Sequence, residues 1–278
     1  MIADARGPAA GRTSTPAWST PHNPCATCGA CCRSYVVPVC GRDIWLITRE
    51  QRLSPEQFTV AHPLPGPHPE GFRLEDGGRF YALALDKRGP FQLKRPCVFL
   101  VGLPGGHDRC GIYAHRPVGC RSYPMVARDG VIGFREDRLC PPDAWPAGEP
   151  GRPRWREAVE QVRMQFDVYA EVVGRWNARV AATPGHRFPL GEYFGYLLSV
   201  YTQIAALDDA LGTDALARVR STWRAVPSHD GGLAELRERA DEHPWLAYLE
   251  RVVAIVAGFY PWVPSPGDRP ITPTAGPG

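Results

Sequence analysis

The last 138 of the 278 residues contain no cysteine, although nine cysteines lie between Cys25 and Cys140. Lysine is nearly absent too, since Lys87 and Lys94 are the only two among 32 basic residues. The formal net charge is only +3, with no run of five basic residues and no alternation of basic with aromatic residues. The absence of a basic run and of basic–aromatic alternation argues against nucleic-acid binding.

Long apolar runs are missing as well. The longest, from Val252 to Val263, is interrupted by Pro261 and is too short to cross a bilayer, so no membrane role is predicted. Residues 1–21 lack the apolar core of a secretory signal, and we expect a disordered arm there and a cytoplasmic location. Clustered cysteines in that reducing compartment bind metal more often than they form disulfides.

Signatures of common enzyme classes are absent. The chain has no Gly-x-Ser-x-Gly elbow, no phosphate-binding loop, and no Gly-rich strand–loop–helix followed by an acidic residue. Hydrolase and nucleotidase functions therefore have no support. No catalytic residue is predicted, and whether the protein is an enzyme stays open.

Short, irregular elements are predicted before residue 140. The predicted helices there cover Asp43–Arg52 and a capped turn at Ser54–Gln57, and the predicted strands and hairpins cover Phe72–Leu85, Val98–Val101, Gly111–Tyr113 and Tyr123–Phe134. Pro141–Pro153 resembles a linker in composition. Beyond it the apolar period becomes 3.6 along one predicted helical face, formed by Trp155, Val159, Val162, Phe166, Tyr169, Val173, Trp176 and Val180. Further predicted helices cover Gly191–Leu207, Thr213–Ala225 and Leu233–Gly258.

These patterns predict an α+β protein, with a small irregular cysteine-rich metal-binding domain followed by an all-α helical bundle. The expected boundaries are a disordered arm at 1–21, the cysteine-cluster domain at 22–142, the helical domain at 152–262 and a disordered tail at 263–278.

The densest cysteine motif is Cys25-x2-Cys28-x2-Cys31-Cys32. Iron–sulfur cubanes use such a run together with a fourth thiolate from elsewhere, whereas structural zinc sites more often pair two C-x2-C knuckles. The adjacent Cys31 and Cys32 side chains diverge and are poorly placed to share one ion. The eight cysteines other than Cys40 could therefore fill two four-thiolate sites, in a division that the spacing leaves open.

Five ordered blocks carry a resemblance to a known family. They are Cys25-x2-Cys28-x2-Cys31-Cys32-Arg33, Pro96-Cys97-Val98-Phe99-Leu100, Cys110-Gly111-Ile112-Tyr113, Arg116-Pro117-x2-Cys120-Arg121-x-Tyr123-Pro124 and Cys140. Over residues 22–142 the chain resembles the CxxCxxCC cysteine-cluster family, the YkgJ-type zinc- or iron-chelating domain. The resemblance implies metal ligation by Cys25, Cys28, Cys31, Cys32, Cys97, Cys110, Cys120 and Cys140, and it leaves Cys40 as the spare thiol.

A looser resemblance is to flagellin lysine N-methylase, in which a cysteine-cluster region is joined to a long helical remainder. It implies the alternative that the chain is a metal-dependent enzyme such as a protein lysine N-methylase-like transferase. No catalytic residue is carried over from it.

Several other side chains are candidates beside the cysteines. Arg116 and Arg121 flank Cys120 and could contact a bound cofactor by donating hydrogen bonds to its sulfurs, although ordinary salt bridges are the alternative. His107 and His115 could replace a cysteine ligand, but turn positions favour solvated side chains. Asp208-Asp209 and the acidic residues between Glu235 and Glu242 could form a carboxylate pair, although a solvated helix face explains the latter.

The sequence thus predicts a cytoplasmic metal-binding protein. The favoured cofactor is one or two iron–sulfur clusters of the 4Fe-4S type, with zinc as the alternative, and a redox or electron-transfer role follows if iron is bound. The helical half could recognise a protein partner or substrate.

Overall fold

A computed structural model describes residues 28–88, 95–128, 130–141, 144–223 and 244–259. The predicted arm, the predicted tail, Cys25 and the acidic stretch Glu235–Glu242 lie outside the described residues.

The described residues of the cysteine-rich half form short helices and three two-stranded antiparallel sheets. Its helices are α1 (Ala30–Ser34), α2 (Gly41–Gln51) and α3 (Val118–Ser122), with 3-10 turns at Pro55–Gln57 and Tyr113–His115. Its strands are β1 (Thr59–Pro63), β2 (Tyr81–Leu85), β3 (Leu100–Leu103), β4 (His107–Cys110), β5 (Met125–Arg128) and β6 (Val131–Phe134), which pair consecutively. The mixed composition confirms the predicted α+β class.

In the second half, the structure describes three helices: α4 (Pro153–Ala181), α5 (Leu190–Trp223) and α6 (Pro244–Phe259). At Gly212 the backbone of α5 leaves the helical region, with φ of 73°, a conformation that glycine adopts without steric cost. The break matches the predicted end of one helix and the predicted start of another at Thr213. None of the helices in the described part of the chain is both long and apolar enough to span a membrane.

The predicted apolar face of α4 is confirmed at six of its eight positions. Trp155, Val159, Tyr169, Val173, Trp176 and Val180 are buried. The other two, Val162 and Phe166, are only partly buried. Both line a cavity beside the cysteines.

One buried core extends through both halves of the chain, from Val39 to Val256. Helix α2 packs against α5, and a Cβ on Gly41 would lie only 2.0 Å from the Tyr201 ring. Trp45 Nε1 donates a hydrogen bond to Thr202 Oγ1 at 3.1 Å. The helical half is therefore the surface against which α2 folds.

The predicted hairpin Phe72–Leu85 forms only in part. Phe72 and Tyr81 exchange two backbone hydrogen bonds, but β2 then pairs with β1 instead. The backbone beyond Phe72 forms hydrogen bonds with the helical half instead. Arg73 N–H donates to Asn177 Oδ1 at 2.9 Å, and Phe188 N–H donates to Leu74 O at 2.7 Å. Hydrogen bonds to residues distant in the sequence thus replace the strand pairing that was predicted within Phe72–Leu85.

The hairpin β5–β6 is confirmed, and the predicted capping box at Ser54 and Gln57 is present. The other predicted strand pair is displaced. Its strands are β3 and β4, which close tightly on Gly105 and Gly106, whose φ values are 81° and 78°. Gly111–Tyr113, predicted as a strand, leads into a 3-10 turn instead.

The segment predicted as a linker is packed where the structure describes it. Trp145 lies edge-on to Trp155, with 5.4 Å between ring centroids. The buried Glu149 carboxylate accepts a hydrogen bond from Trp155 Nε1 at 2.8 Å and pairs with Arg152. A second small core therefore surrounds the start of α4.

Candidate metal centre

Cysteines that are far apart in the sequence surround a single cavity, here called the thiol cavity. Its lining includes Cys28, Cys31, Cys32, Cys97, Cys110, Cys120 and Cys140, which are all the described cysteines except Cys40.

The first cysteine run is held by a turn at Gly29, where φ is 62°. A Cβ on this residue would lie 2.6 Å from Asp108 Cβ, so glycine permits both the backbone conformation and the close approach. Arg33, at the end of the same turn, forms a two-pronged ion pair with Asp108 at distances of 2.7 and 2.9 Å. These contacts attach the run to β4.

Backbone hydrogen bonds bring Cys97 and Cys110 to the same place. Cys97 N–H donates to Cys32 O at 2.8 Å, and Cys110 lies opposite Leu100 in the β3–β4 hairpin. Lys87 Nζ also donates to Cys32 O at 2.8 Å. The segments that contain Cys32, Lys87 and Cys97 therefore meet at the Cys32 carbonyl.

Cys120 is carried by α3, which is attached to α2 through Asp43. The Asp43 carboxylate accepts hydrogen bonds from Val118 N–H at 2.9 Å and from Cys40 N–H at 3.2 Å. Its side chain is almost fully buried, and that burial raises its pKa. A buried carboxylate therefore fixes the start of the helix that presents Cys120.

Cys140 approaches the cavity beside Tyr123. Leu139 N–H donates to Tyr123 Oη at 2.7 Å, which fixes the residue before Cys140. Burial, together with the negative charge of the Cys140 thiolate, raises the pKa of Tyr123.

Four of the thiols interact electrostatically with one another. Burial raises the pKa of Cys120, and the charges of Cys32, Cys97 and Cys110 raise it further. Burial also raises the pKa of Cys97 to about 11. By contrast, the hydrogen bond with Cys31, helped by Lys87 and Arg116, lowers the pKa of Cys32 to about 7. Cys32 is therefore better prepared than Cys97, Cys110 or Cys120 to bind metal as a thiolate.

Comparison with known proteins agrees with this geometry. Residues 24–141 match the family model described as "CxxCxxCC: Putative zinc- or iron-chelating domain". Over these residues the chain is similar to the CxxCxxCC family. Over 118 residues the chain is 27% identical to "Uncharacterized protein YkgJ" of Escherichia coli O157:H7, an alignment that covers 40% of this chain and 82% of that protein. No solved structure matches the chain. This similarity supports metal binding by the cysteine-rich half.

The thiols of the cysteine-rich half are enclosed by an apolar wall that includes Val37, Leu85, Phe99 and Ile112. The cavity measures about 60 Å³, whereas one water-sized atom needs only about 10–15 Å³. Within the described ranges, which omit Cys25, no three Cys, His, Asp or Glu side chains are grouped closely enough for a single ion.

The two arginines predicted to contact a cofactor lie in different surroundings. Arg116 lines the thiol cavity, and its guanidinium lies 3.9 Å from the centre of the Tyr113 ring. Its Nε is buried and has no hydrogen-bond partner among the described residues. Arg121 is absent from the cavity lining, and its charge acts on Asp43. A thiol-lined space with an unused buried N–H donor fits an anionic metal–sulfur group.

The other candidates do not line the thiol cavity. Cys40 is buried in the core at the start of α2, where its Sγ lies 3.3 Å from Asp43 Oδ2. His107 is exposed, and His115 Nδ1 lies 3.3 Å from Gln51 Nε2. Asp208 pairs with Arg42 at 2.6 Å and accepts a hydrogen bond from Tyr248. None of these residues lines the thiol cavity.

Three residues beside the cysteines were not predicted from the sequence. Lys87 is one of only two lysines, and this rarity is the signal that could have singled it out as a candidate. Asp43 lies three residues after Cys40, at the spacing of a helix-capping pair. Asp108 has no local signal, because its partner Arg33 is distant in the sequence.

Proposed function

We propose that the cysteine-rich half holds an iron–sulfur centre and serves electron transfer or redox sensing. The observation that carries this proposal is the gathering of seven thiols around one apolar cavity that also contains the unpartnered Nε of Arg116. A 4Fe-4S cluster would supply one-electron chemistry when bound.

Cavity size and ligand type support iron–sulfur over zinc. The volume exceeds that of a single ion, and the lining provides sulfur but no histidine. Structural zinc is usually held by four ligands on paired knuckles, while the run Cys25-x2-Cys28-x2-Cys31 has the spacing of a cubane-binding loop. Arg116 and Lys87 would offset the negative charge of the thiolates.

The proposed ligands of one centre are Cys32, Cys97, Cys110 and Cys120. Their support is the hydrogen bond between Cys97 and Cys32, the hairpin that carries Cys110, and the effect of three of these thiolates on the fourth. Cys28, Cys31 and Cys140 line the same cavity. With Cys25 they are the proposed ligands of a second centre.

The role proposed for the helical domain at 152–262 is mechanical support of the 22–142 domain. Helix α3, which carries Cys120, packs against α4, and α2 packs against α5 through Gly41 and Tyr201. A cytoplasmic location remains part of the proposal, because exposed thiols and clusters persist in a reducing compartment.

The test is chemical analysis of the full chain purified without oxygen. Iron and acid-labile sulfide in equal amounts, with a brown colour, are the expected result. A colourless protein with stoichiometric zinc and no sulfide would overturn the iron–sulfur proposal and leave zinc as the metal.

The lysine N-methylase-like activity stays a prediction from the looser resemblance. Calorimetric titration with S-adenosylmethionine tests it, and absence of binding would remove it.

A further inference from the structure

A second cavity, here called the side cavity, adjoins the thiol cavity. It measures about 360 Å³ and lies between residues 35–38, α3, β5 and α4. Small-molecule sites in proteins have volumes of about 300–1,000 Å³. Cys31, Cys120 and Tyr123 line both cavities. A molecule in the side cavity would therefore contact side chains that also face the thiol cavity.

The walls of the side cavity are formed mainly by apolar side chains. Met125 lies on β5, and Val159, Val162 and Phe166 lie on α4. Val162 and Phe166 belong to the apolar face of α4, yet both are only partly buried. Removing such apolar surface from water is favourable, so an apolar occupant would gain free energy from these walls.

Aromatic rings contribute to the same walls. Tyr35, Tyr123 and Phe166 all line the side cavity, and the rings of Tyr35 and Tyr123 meet edge-on with 5.6 Å between their centroids. Aromatic groups gain free energy beyond their buried area when they pack edge-on or offset against other rings. A flat aromatic ring therefore fits this cavity better than a saturated ring or an aliphatic chain.

The charged side chains at the side cavity already interact with other groups in the protein. Arg135 forms a two-pronged ion pair with Asp137, with both N–O distances at 2.9 Å. Arg163 also has a partner within the protein, and it borders a neighbouring surface pocket together with the acidic Glu70 and Asp167. Burying a charge that no opposite charge compensates is costly. An uncharged occupant therefore suits the side cavity better than an anion or a cation.

One polar group in the lining can serve an uncharged ligand. The ion pair with Asp137 uses Nε and Nη2 of Arg135, while the other terminal nitrogen, Nη1, carries further N–H donors. The same guanidinium lies 5.5 Å from the centre of the Tyr35 ring, at the wall of the cavity. A carbonyl oxygen can accept a hydrogen bond from such a donor without bringing a charge into the cavity.

We propose that the side cavity binds an uncharged, flat aromatic molecule that carries one carbonyl oxygen. The ring system packs among Met125, Val162 and Phe166, and the carbonyl oxygen accepts a hydrogen bond from Arg135. This site goes beyond the proposed iron–sulfur function, and ligand binding there does not depend on which metal the cysteines hold.

The experiment is calorimetric titration of the full chain, as isolated, with three related probes. They are 2-naphthamide, its anionic analogue 2-naphthoate, and the saturated decahydronaphthalene-2-carboxamide. We expect one 2-naphthamide to bind per chain in a saturable manner. The anion and the saturated amide should each bind about tenfold more weakly, because the first brings an uncompensated charge and the second has no aromatic ring.

Substitutions at valines locate the bound probe. Val36 lines the side cavity and is 55% exposed, so Val36→Trp narrows the cavity without disturbing the core. It should weaken 2-naphthamide binding by about tenfold or more, and so should Val162→Trp. Val131 is 68% exposed and outside the lining, so Val131→Trp is the matched control and should leave the affinity unchanged. Circular dichroism checks that each variant is folded.

An arginine pair tests the hydrogen bond to the carbonyl oxygen. Arg135→Met removes the donor and should weaken 2-naphthamide binding about fivefold, the loss typical of one hydrogen bond. Arg138 lies over the Phe134 ring and outside the lining of the side cavity, so Arg138→Met should have no effect. Equal effects of the two substitutions would overturn the role given to Arg135.

The proposal is overturned if 2-naphthamide does not bind saturably, or if Val36→Trp and Val131→Trp change its affinity equally. Binding of 2-naphthoate as tight as that of the amide would overturn the assignment of an uncharged ligand. Equally tight binding of the saturated amide would overturn the assignment of an aromatic ring. Because the titration is made with whichever metal the chain holds, failure here is distinguishable from failure of the iron–sulfur proposal.

Discussion

Asp43 joins α2 to α3 by accepting a hydrogen bond from Val118 N–H at 2.9 Å. The carboxylate is 2% exposed, and the helix that it holds carries Cys120. The position of a cysteine in the thiol cavity thus depends on a buried acid outside that cavity.

Replacing this acid should disturb both stability and metal retention. Asp43→Ala leaves the Val118 and Cys40 N–H groups buried without acceptors, which typically costs about 1–3 kcal/mol for each group. We expect a lower unfolding midpoint in denaturant and a reduced metal content per chain. Asp76→Ala is the matched control, because Asp76 is exposed and its partner Arg73 lies outside the thiol cavity. Equal effects of the two changes would contradict the role given to Asp43.

Serine substitutions distinguish ligand cysteines from the spare one. Cys28→Ser and Cys97→Ser should lose metal, and they should destabilise the cysteine-rich half, because ligation contributes to its folding. Cys40→Ser should retain the metal content of the natural sequence, since Cys40 lies in the core against Asp43. Metal analysis of the three purified variants is the measurement. Loss of metal in Cys40→Ser to the same extent as in Cys28→Ser would refute the distinction.

The contact between the two halves is tested at Gly41. An added Cβ would lie 2.0 Å from the Tyr201 ring, so Gly41→Ala should destabilise the chain by about 1–3 kcal/mol through overpacking. Gly174, in the interior of α4, has open space around a Cβ. Gly174→Ala should therefore stabilise the helix by about 0.5–1 kcal/mol. Thermal unfolding of the pair gives the comparison, and destabilisation by both would contradict it.

Arg116 should tune the centre electrostatically. Removing its charge and N–H donors in Arg116→Met disfavours the more negative, reduced state, so the reduction potential should fall. Arg116→Lys keeps the charge and should restore part of the potential. Arg138→Met is the control, because Arg138 is an exposed arginine over Phe134 and outside the cavity lining. Redox titration measures all three, and an unchanged potential in Arg116→Met would exclude this role.

Local patterns in the sequence were sufficient for part of this fold. The stripe of α4 and the capping box at Ser54 depend on neighbours within a few residues, and both are present. The predicted hairpin Phe72–Leu85 forms only in part, because the backbone after Phe72 is hydrogen-bonded to Asn177 and Phe188. A local sequence pattern does not show which distant residues will form hydrogen bonds with a segment.

The same distinction holds at the thiol cavity. Spacing predicted the cysteine run, because turns of fixed length bring those thiols together, and the resemblance implied the other ligands. The ion pair of Arg33 with Asp108 and the hydrogen bond from Lys87 to Cys32 join segments distant in the sequence. Such contacts form only once the chain has folded, and so does the cavity lined by Val162 and Phe166.

The most direct test of the central claim is X-ray absorption spectroscopy of the full chain isolated without oxygen. The account predicts iron with a shell of sulfur neighbours and a second shell of iron, as in a polynuclear iron–sulfur centre. An absorption edge from zinc alone, with sulfur neighbours and no second metal shell, would contradict it.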